Sequence, residues 1–145
     1  MSKFDTYFLM KTDDAIEYAK VKVPQIDWDA DTMECREIGD GNLNYVFKVT
    51  DGKGHSVIVK QAGVEARISA DMKLDTDRNR IESEILVLEG KLAPGYVPEI
   101  YFYDTVMSAC GMEDLSDHEI MRTAMLEHKI YLKFADQIST FMAQV

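Results

Sequence analysis

The chain has 145 residues with 26 acidic and 16 basic side chains, a formal net charge of −10, and an apolar share of 46 per cent. That length suits one domain with a sizeable core, and that balance is that of a globular chain, not a disordered one. The negative charge argues against non-specific binding to nucleic acid or an anionic membrane, both of which would repel it. It leaves an anionic small ligand open, because a nest of backbone N–H groups and one lysine can outweigh distant charges.

The N-terminal stretch MSKFDTYFLMKTDDAIEYAK carries charges every few residues and no apolar run long enough for a signal peptide or a membrane span. Thr12, followed by Asp13 and Asp14, predicts a helix start: a side-chain cap, then negative charge near the positive end of the dipole. Residues 13–23 place Ile16, Ala19 and Val23 on one side, and Pro24 ends the helix. An acidic loop around Trp28 follows. The period then changes to that of strands: Met33 to Ile38, Leu43 to Thr50 and Ser56 to Gln61, the last two joined by the hairpin turn DGKG at 51–54. These three form an antiparallel meander.

Residues 75–92 return to helical period, with Ile81, Ile85, Leu88 and Leu92 on one stripe and a cap at Asp75 or Thr76. Pro94-Gly95 stops this helix. Two further strands are expected at Glu99 to Tyr103 and Val106 to Met112, then helices at about 117–129 and 134–144. The predicted fold class is α+β: a five-stranded antiparallel sheet, a long helix between its third and fourth strands, and helices at both ends.

Three features carry chemistry. Gly39-Asp40-Gly41 is a glycine-rich turn between paired strands, weak evidence alone because many hairpins need unusual dihedral angles. Val46 follows at the spacing of GxGxxGxV, with Asn44 where that pattern has its third glycine. Fourteen residues after Val46, VIVK ends in Lys60, whose strand neighbours Val57, Ile58 and Val59 are all apolar. A lysine rooted there needs a partner, since an unpaired buried charge costs several kcal/mol. The long helix offers Glu82 and Glu84, about 200° apart, so only one can face the sheet. Glu84 lies beside the Ile81–Leu88 stripe and is the preferred partner, with Glu82 as the alternative.

Taken together, the glycine-rich turn, strand lysine, helix glutamate and a fifth strand ending in MEDL resemble the N-terminal lobe of the protein-kinase-like fold. The phrases CREIGDGNLNYVFKV, VIVKQA, DRNRIESE, VPEIYFYD and MEDLSDHEIMR, in that order, resemble the 5-methylthioribose kinases, relatives of the choline kinases and aminoglycoside phosphotransferases. The resemblance runs from Cys35 to Arg122 and continues weakly beyond. It implies ATP-dependent phosphorylation of the 1-hydroxyl of 5-methylthioribose, in methionine salvage, in the cytoplasm. It further implies that Gly39, Gly41 and Asn44 face the nucleotide, that Lys60, paired by Glu84, contacts the α and β phosphates, that Met112 is the gatekeeper, and that Glu113, Asp114 and Leu115 form the hinge that holds adenine. The amide of Asn44 could donate to a phosphate or cap the turn, which glycine could not do.

The departures bear on the chemistry. The family's catalytic HGD and its D-x-E metal motif do not occur in these 145 residues, save for Asp117-His118-Glu119 directly after the hinge, where Asp117 reads as a helix cap. The expectation is a nucleotide-binding lobe over 1–115 and the first helices of a second lobe over 116–145. No catalytic or metal residue is assigned within the chain, and magnesium would be held from elsewhere. His55, His118 and His128 show no metal spacing, and Cys35 and Cys110 read as reduced buried thiols. Two alternatives stand beside this reading: another kinase of the same fold with an aminoglycoside or choline-like acceptor, and a non-catalytic interaction module. A homodimer is left open.

Overall fold

The computed structural model describes residues 2–39, 43–66 and 69–145, the side chains of 65–73 apart. In chain order the elements are α1 (Thr12–Lys22), β1 (Glu34–Glu37), β2 (Asn44–Thr50), β3 (Ser56–Ala62), β4 (Glu65–Ala66), β5 (Ser69–Lys73), α2 (Asp77–Leu92), β6 (Ile100–Asp104), β7 (Ala109–Met112), α3 (Met121–Leu126) and α4 (Phe134–Gln144). The main sheet has five antiparallel strands in the order β1-β2-β3-β7-β6, so the predicted fourth strand lies at the edge and the fifth beside the third. The α+β class and the helix between the third and fourth sheet strands are as expected. The separate ribbon of β4 and β5 ahead of α2 was not anticipated.

Strict alternation along β2 and β3 divides the sheet into two faces. Phe47, Val49, Val57 and Val59 are fully or almost fully buried on one face, beneath Ala15, Tyr18 and Ala19 of α1 and the adjoining Val23. Each such aliphatic or aromatic side chain contributes roughly 1.5–3 kcal/mol when fully buried, so this layer is the main core. Tyr18 packs edge-on against Phe102 of β6 and donates its hydroxyl to Asp104 at 3.0 Å. The ring of Phe102 occupies the space beside residue 111: a Cβ there would lie 2.2 Å from Cε1, so β7 requires Gly111.

The β2–β3 turn is built by Asp51, whose carboxylate accepts from the backbone N–H groups of Asp29, Lys53 and His55. Gly54 supplies the left-handed residue at φ 88°. Three terminal signals differ from expectation. Thr12 lies inside α1, and the stabilising contact is the Asp14 carboxylate on the Lys11 N–H at 2.9 Å. Asp117 caps no helix, because α3 starts only at Met121; its carboxylate meets the neighbouring His118 ring instead. The strand expected at Val106 to Met112 begins at Ala109, since Asp104 accepts from the N–H groups of Val106 and Met107 and folds that stretch into a turn.

Gln61 is fully buried and ties the N-terminal segment to the sheet: its oxygen accepts from Met10 N–H, and its amide donates to the carbonyls of Phe8 and Met107. Replacing it by leucine strands three backbone groups in the interior. Gln61→Leu is expected to lower stability by about 3 kcal/mol, read as a fall in the urea midpoint with an unchanged slope.

Candidate functional site

The other face of the sheet carries Val46 and Lys48 from β2, Ile58 and Lys60 from β3, and Cys110 and Met112 from β7. Val46 pairs with Lys60, Lys48 with Ile58, Lys60 with Cys110 and Ile58 with Met112. An apolar floor thus runs from the start of β2 to the end of β7, with one lysine at each side of it. Helix α2 lies against β3, β6 and β7 on this side.

How α2 is seated decides the partner of Lys60. Its buried residues are Asn79 and Ser83, not the predicted apolar stripe. The Asn79 amide donates to the carbonyls of Lys60 (3.1 Å) and Ser108 (3.0 Å), and the Ser83 hydroxyl returns to the Asn79 carbonyl. Ile81, Ile85, Leu88 and Leu92 point away from the sheet, each close to half exposed. Glu82 is one turn on from Asn79 and comes to the lysine: Lys60 Nζ lies 2.5 Å from Glu82 Oε1, with the lysine side chain one-fifth exposed. Glu84 points to solvent and holds Arg80 at 2.7 Å. The preference for Glu84 as the partner is therefore corrected to Glu82. The 200° separation holds, but the helix docks through its small polar face, so choosing by the apolar stripe selected the outer side.

After β7 the chain remains tied to β6 and turns over the sheet edge. The Glu113 N–H donates to the Glu99 carbonyl at 2.8 Å, and the Glu113 carboxylate accepts from the Glu99 N–H. Asp114, its side chain only 6 per cent exposed, meets Lys48 at 2.6 Å. Lys48 also donates to the Ser116 hydroxyl at 2.8 Å, and that hydroxyl contacts the Asp114 carboxylate. The side chains of Glu113 and Asp114 are thus committed to structure, as are the Glu113 N–H and the Leu115 carbonyl, which accepts from the His118 N–H at 2.9 Å. Burial pushes the Asp114 carboxyl up, but the bonds from Lys48, Ser116 and Ser56 outweigh it and hold it at about 2. Between this segment and the exit of β1 lies an open cleft of about 560 Å³, lined among others by Ile38, Leu115, Ser116 and Ile120. Its volume is within the ordinary range for small-molecule sites.

Of the remaining candidates, Gly39 is exposed with open space around it. Gly41 and its neighbour Asp40 lie outside the described residues. Asn44 opens β2, and its Oδ1 accepts from Arg78 at 3.0 Å. Arg78, Asn79 and Lys48, whose contacts tie these segments together, were not among the expected site residues. Arg78 and Asn79 stand in the DRNRIESE phrase and Lys48 lies two residues from Val46 on the same strand face, so position could have flagged them where residue type did not. Cys110 is buried and Cys35 partly buried, both free thiols. Burial pushes both thiols up, Cys35 to about 11, which makes them poor nucleophiles. Among the described residues no group of three or more His, Cys, Asp or Glu side chains is placed to hold a metal ion, and no helix is long and apolar enough to cross a membrane.

A five-stranded sheet in this order, with its helix seated on the third strand and a lysine–glutamate pair between them, is the N-terminal lobe of a protein-kinase-like fold. Sequence comparison gives the particular relatives. The methylthioribose kinase of Yersinia enterocolitica is 39% identical over 146 residues, covering 99% of this chain and 36% of the relative. That of Klebsiella pneumoniae is 37% identical over 147 residues, and that of Bacillus velezensis 43% over 115. The chain is a homologue of the methylthioribose kinases along almost its whole length. It spans about a third of the length of the curated relatives it matches. No protein-family model matches it.

Two outcomes follow from this geometry. Glu82→Gln should cost about 1 kcal/mol and Glu84→Gln less than about 0.5 kcal/mol, because only the former leaves a half-buried ammonium without its partner; denaturant titration of the two variants tests the order. The second concerns acid. A carboxyl held below its unfolded value lends stability above that value, and the contribution is lost as pH falls through the folded one. The Lys48–Asp114 link should therefore weaken between about pH 4 and pH 2. In Lys48→Met the Asp114 carboxyl should return toward its ordinary value, followed by its carboxyl-carbon chemical shift, and the stability gap between wild type and variant should close over the same interval.

Proposed function

We propose that this chain forms the nucleotide-binding part of an ATP-dependent small-molecule kinase whose acceptor is the 1-hydroxyl of 5-methylthioribose, a step of methionine salvage in the cytoplasm. The observation that carries the reading is the Lys60–Glu82 pair on the sheet face that also carries Val46, Ile58 and Met112, with an open cleft lined by Ile38, Asp114 and Leu115. Its acceptor rests on the relatives, which are named methylthioribose kinases. The same names weigh against an aminoglycoside or choline-like acceptor. An interaction module that reuses the fold would have no need of a partly buried lysine held by a carboxylate on a helix.

In this reading residues 1–115 are the nucleotide lobe and 116–145 the first helices of a second lobe. Main-chain groups of Glu113, Asp114 and Leu115 would meet the adenine edge, with Met112 and Ile58 beneath the ring. Lys60, oriented by Glu82, would hold the α and β phosphates, and Gly39, Gly41 and Asn44 would flank them. The residues present fit ATP in kind: an apolar slot for a flat ring, then a cation for phosphate. Bound ATP supplies the γ-phosphoryl group. The magnesium ligands and the group that takes the proton from the acceptor hydroxyl are assigned to parts of the relatives outside the matched third, since neither HGD nor a D-x-E free of the hinge occurs here.

The 145-residue chain should accordingly give no turnover of 5-methylthioribose with ATP and magnesium above the uncatalysed rate, and measurable turnover would overturn the division of labour. ATP should bind weakly. If a complete site holds ATP at ~0.1 mM, about −5.5 kcal/mol, losing ~2.5 kcal/mol of contacts moves Kd to several millimolar. Amide shifts on titration should fall at Gly39, Asn44, Lys60 and 113–115 and vanish in Lys60→Met. Micromolar binding, or shifts clustered elsewhere, would refute the assignment.

A further inference from the structure

Among the described residues Arg78, in the first turn of α2, is bound through neutral oxygens. One terminal nitrogen donates to the Asp75 carbonyl at 2.6 Å. The other donates to the Leu43 carbonyl (2.7 Å), the Asn44 side-chain oxygen (3.0 Å) and the Gly63 carbonyl (3.3 Å). Its Nε is buried, with no hydrogen-bond partner among the described residues. One guanidinium thus joins the start of α2, the start of β2 and the end of β3. None of its four acceptors carries a charge, so none of them cancels its own.

Arginine offers only donors, so the group of Asn44 that faces it must be the carbonyl oxygen. The amide nitrogen of Asn44, with two N–H donors, is then turned to the opposite side. By strand alternation Asn44 shares a face of β2 with Val46 and Lys48, and Val46 is the cross-strand partner of Lys60. The donor end of Asn44 is thereby offered on the face that carries the Lys60 ammonium.

We infer that Arg78 is a positioning residue for nucleotide phosphate: by holding the Asn44 oxygen it fixes the Asn44 amide as a donor toward the phosphates, and its positive charge favours the same anion. The inference rests on the nucleotide reading above. It also makes a specific demand on Asn44, because an aspartate there would hold Arg78 better and the phosphate worse.

The test is ATP titration of the 145-residue chain, followed by backbone and side-chain amide spectra. In wild type the two Asn44 side-chain N–H signals should shift together with Lys60 and 113–115. Asn44→Asp should keep or raise the melting temperature yet lose at least tenfold in ATP affinity, read as near disappearance of the shifts at a concentration that half-saturates wild type. Arg78→Lys should lose affinity similarly although the charge is kept, because one ammonium cannot span three segments. Should Arg78→Lys fail to fold, Asn44→Asp decides alone, since it preserves every acceptor of Arg78. ATP shifts at Lys60 and the hinge with a silent Asn44 amide and undiminished binding by Asn44→Asp would overturn the inference and leave the nucleotide reading standing. No ATP-dependent shift at any of these residues would remove both.

Discussion

The seating of α2 on the sheet depends on a single side-chain amide. Asn79 donates to the carbonyls of Lys60 and Ser108, one on β3 and one in the turn before β7, from the fully buried face of the helix. Those two bonds fix both the rotation of α2 about its axis and its height along β3. Rotation brings Glu82 to Lys60 and sends Glu84 outward; height puts Arg78 opposite the start of β2. A helix held by apolar packing could slide or roll by a fraction of a residue at little cost, whereas two hydrogen bonds to carbonyls in different segments cannot be kept through such a move.

This arrangement accounts for the unequal treatment of the two sheet faces. The face beneath α1 is closed by large apolar side chains and supplies the stability. The face beneath α2 gives up much of that burial: the helix presents small or polar residues to the sheet and turns Ile81, Ile85, Leu88 and Leu92 away. What it gains is a set of charged and polar groups with defined positions. Fixed polar contacts of that kind are what a binding surface needs if its donors are to be in place before the ligand arrives.

Those two strategies explain what could be read from the sequence. For the placing of elements periodicity was a sound guide: the meander of β1 to β3, the helix between the third and fourth sheet strands, and α4 over 134–144 all lie close to where alternation or helical spacing put them. Lys60 was visible because a lysine among valines and isoleucine is out of place. Its partner was not, because the inference from an apolar stripe to a buried stripe assumes that hydrophobic burial sets the rotation of the helix. Here hydrogen bonds set it, and Asn79 and Ser83 have no periodic signature. The failed caps at Thr12 and Asp117 have a related cause: Asp14 at one and the immediate neighbour His118 at the other were better partners for the local groups than the expected geometry.

The charges of the site also reconcile with those of the whole chain. A net charge of −10 opposes any polyanion, yet charges more than about 8–10 Å away are largely screened at ordinary ionic strength. Close to the sheet face the balance is different. Lys48 and Lys60 are each matched by one carboxylate, Asp114 and Glu82, which makes their partial burial tolerable and leaves each pair close to neutral. Among the described residues Arg78 is matched by carbonyl oxygens, whose dipoles stabilise a cation without cancelling its charge. The guanidinium thus places a positive charge at the start of β2, held there by contacts to three segments.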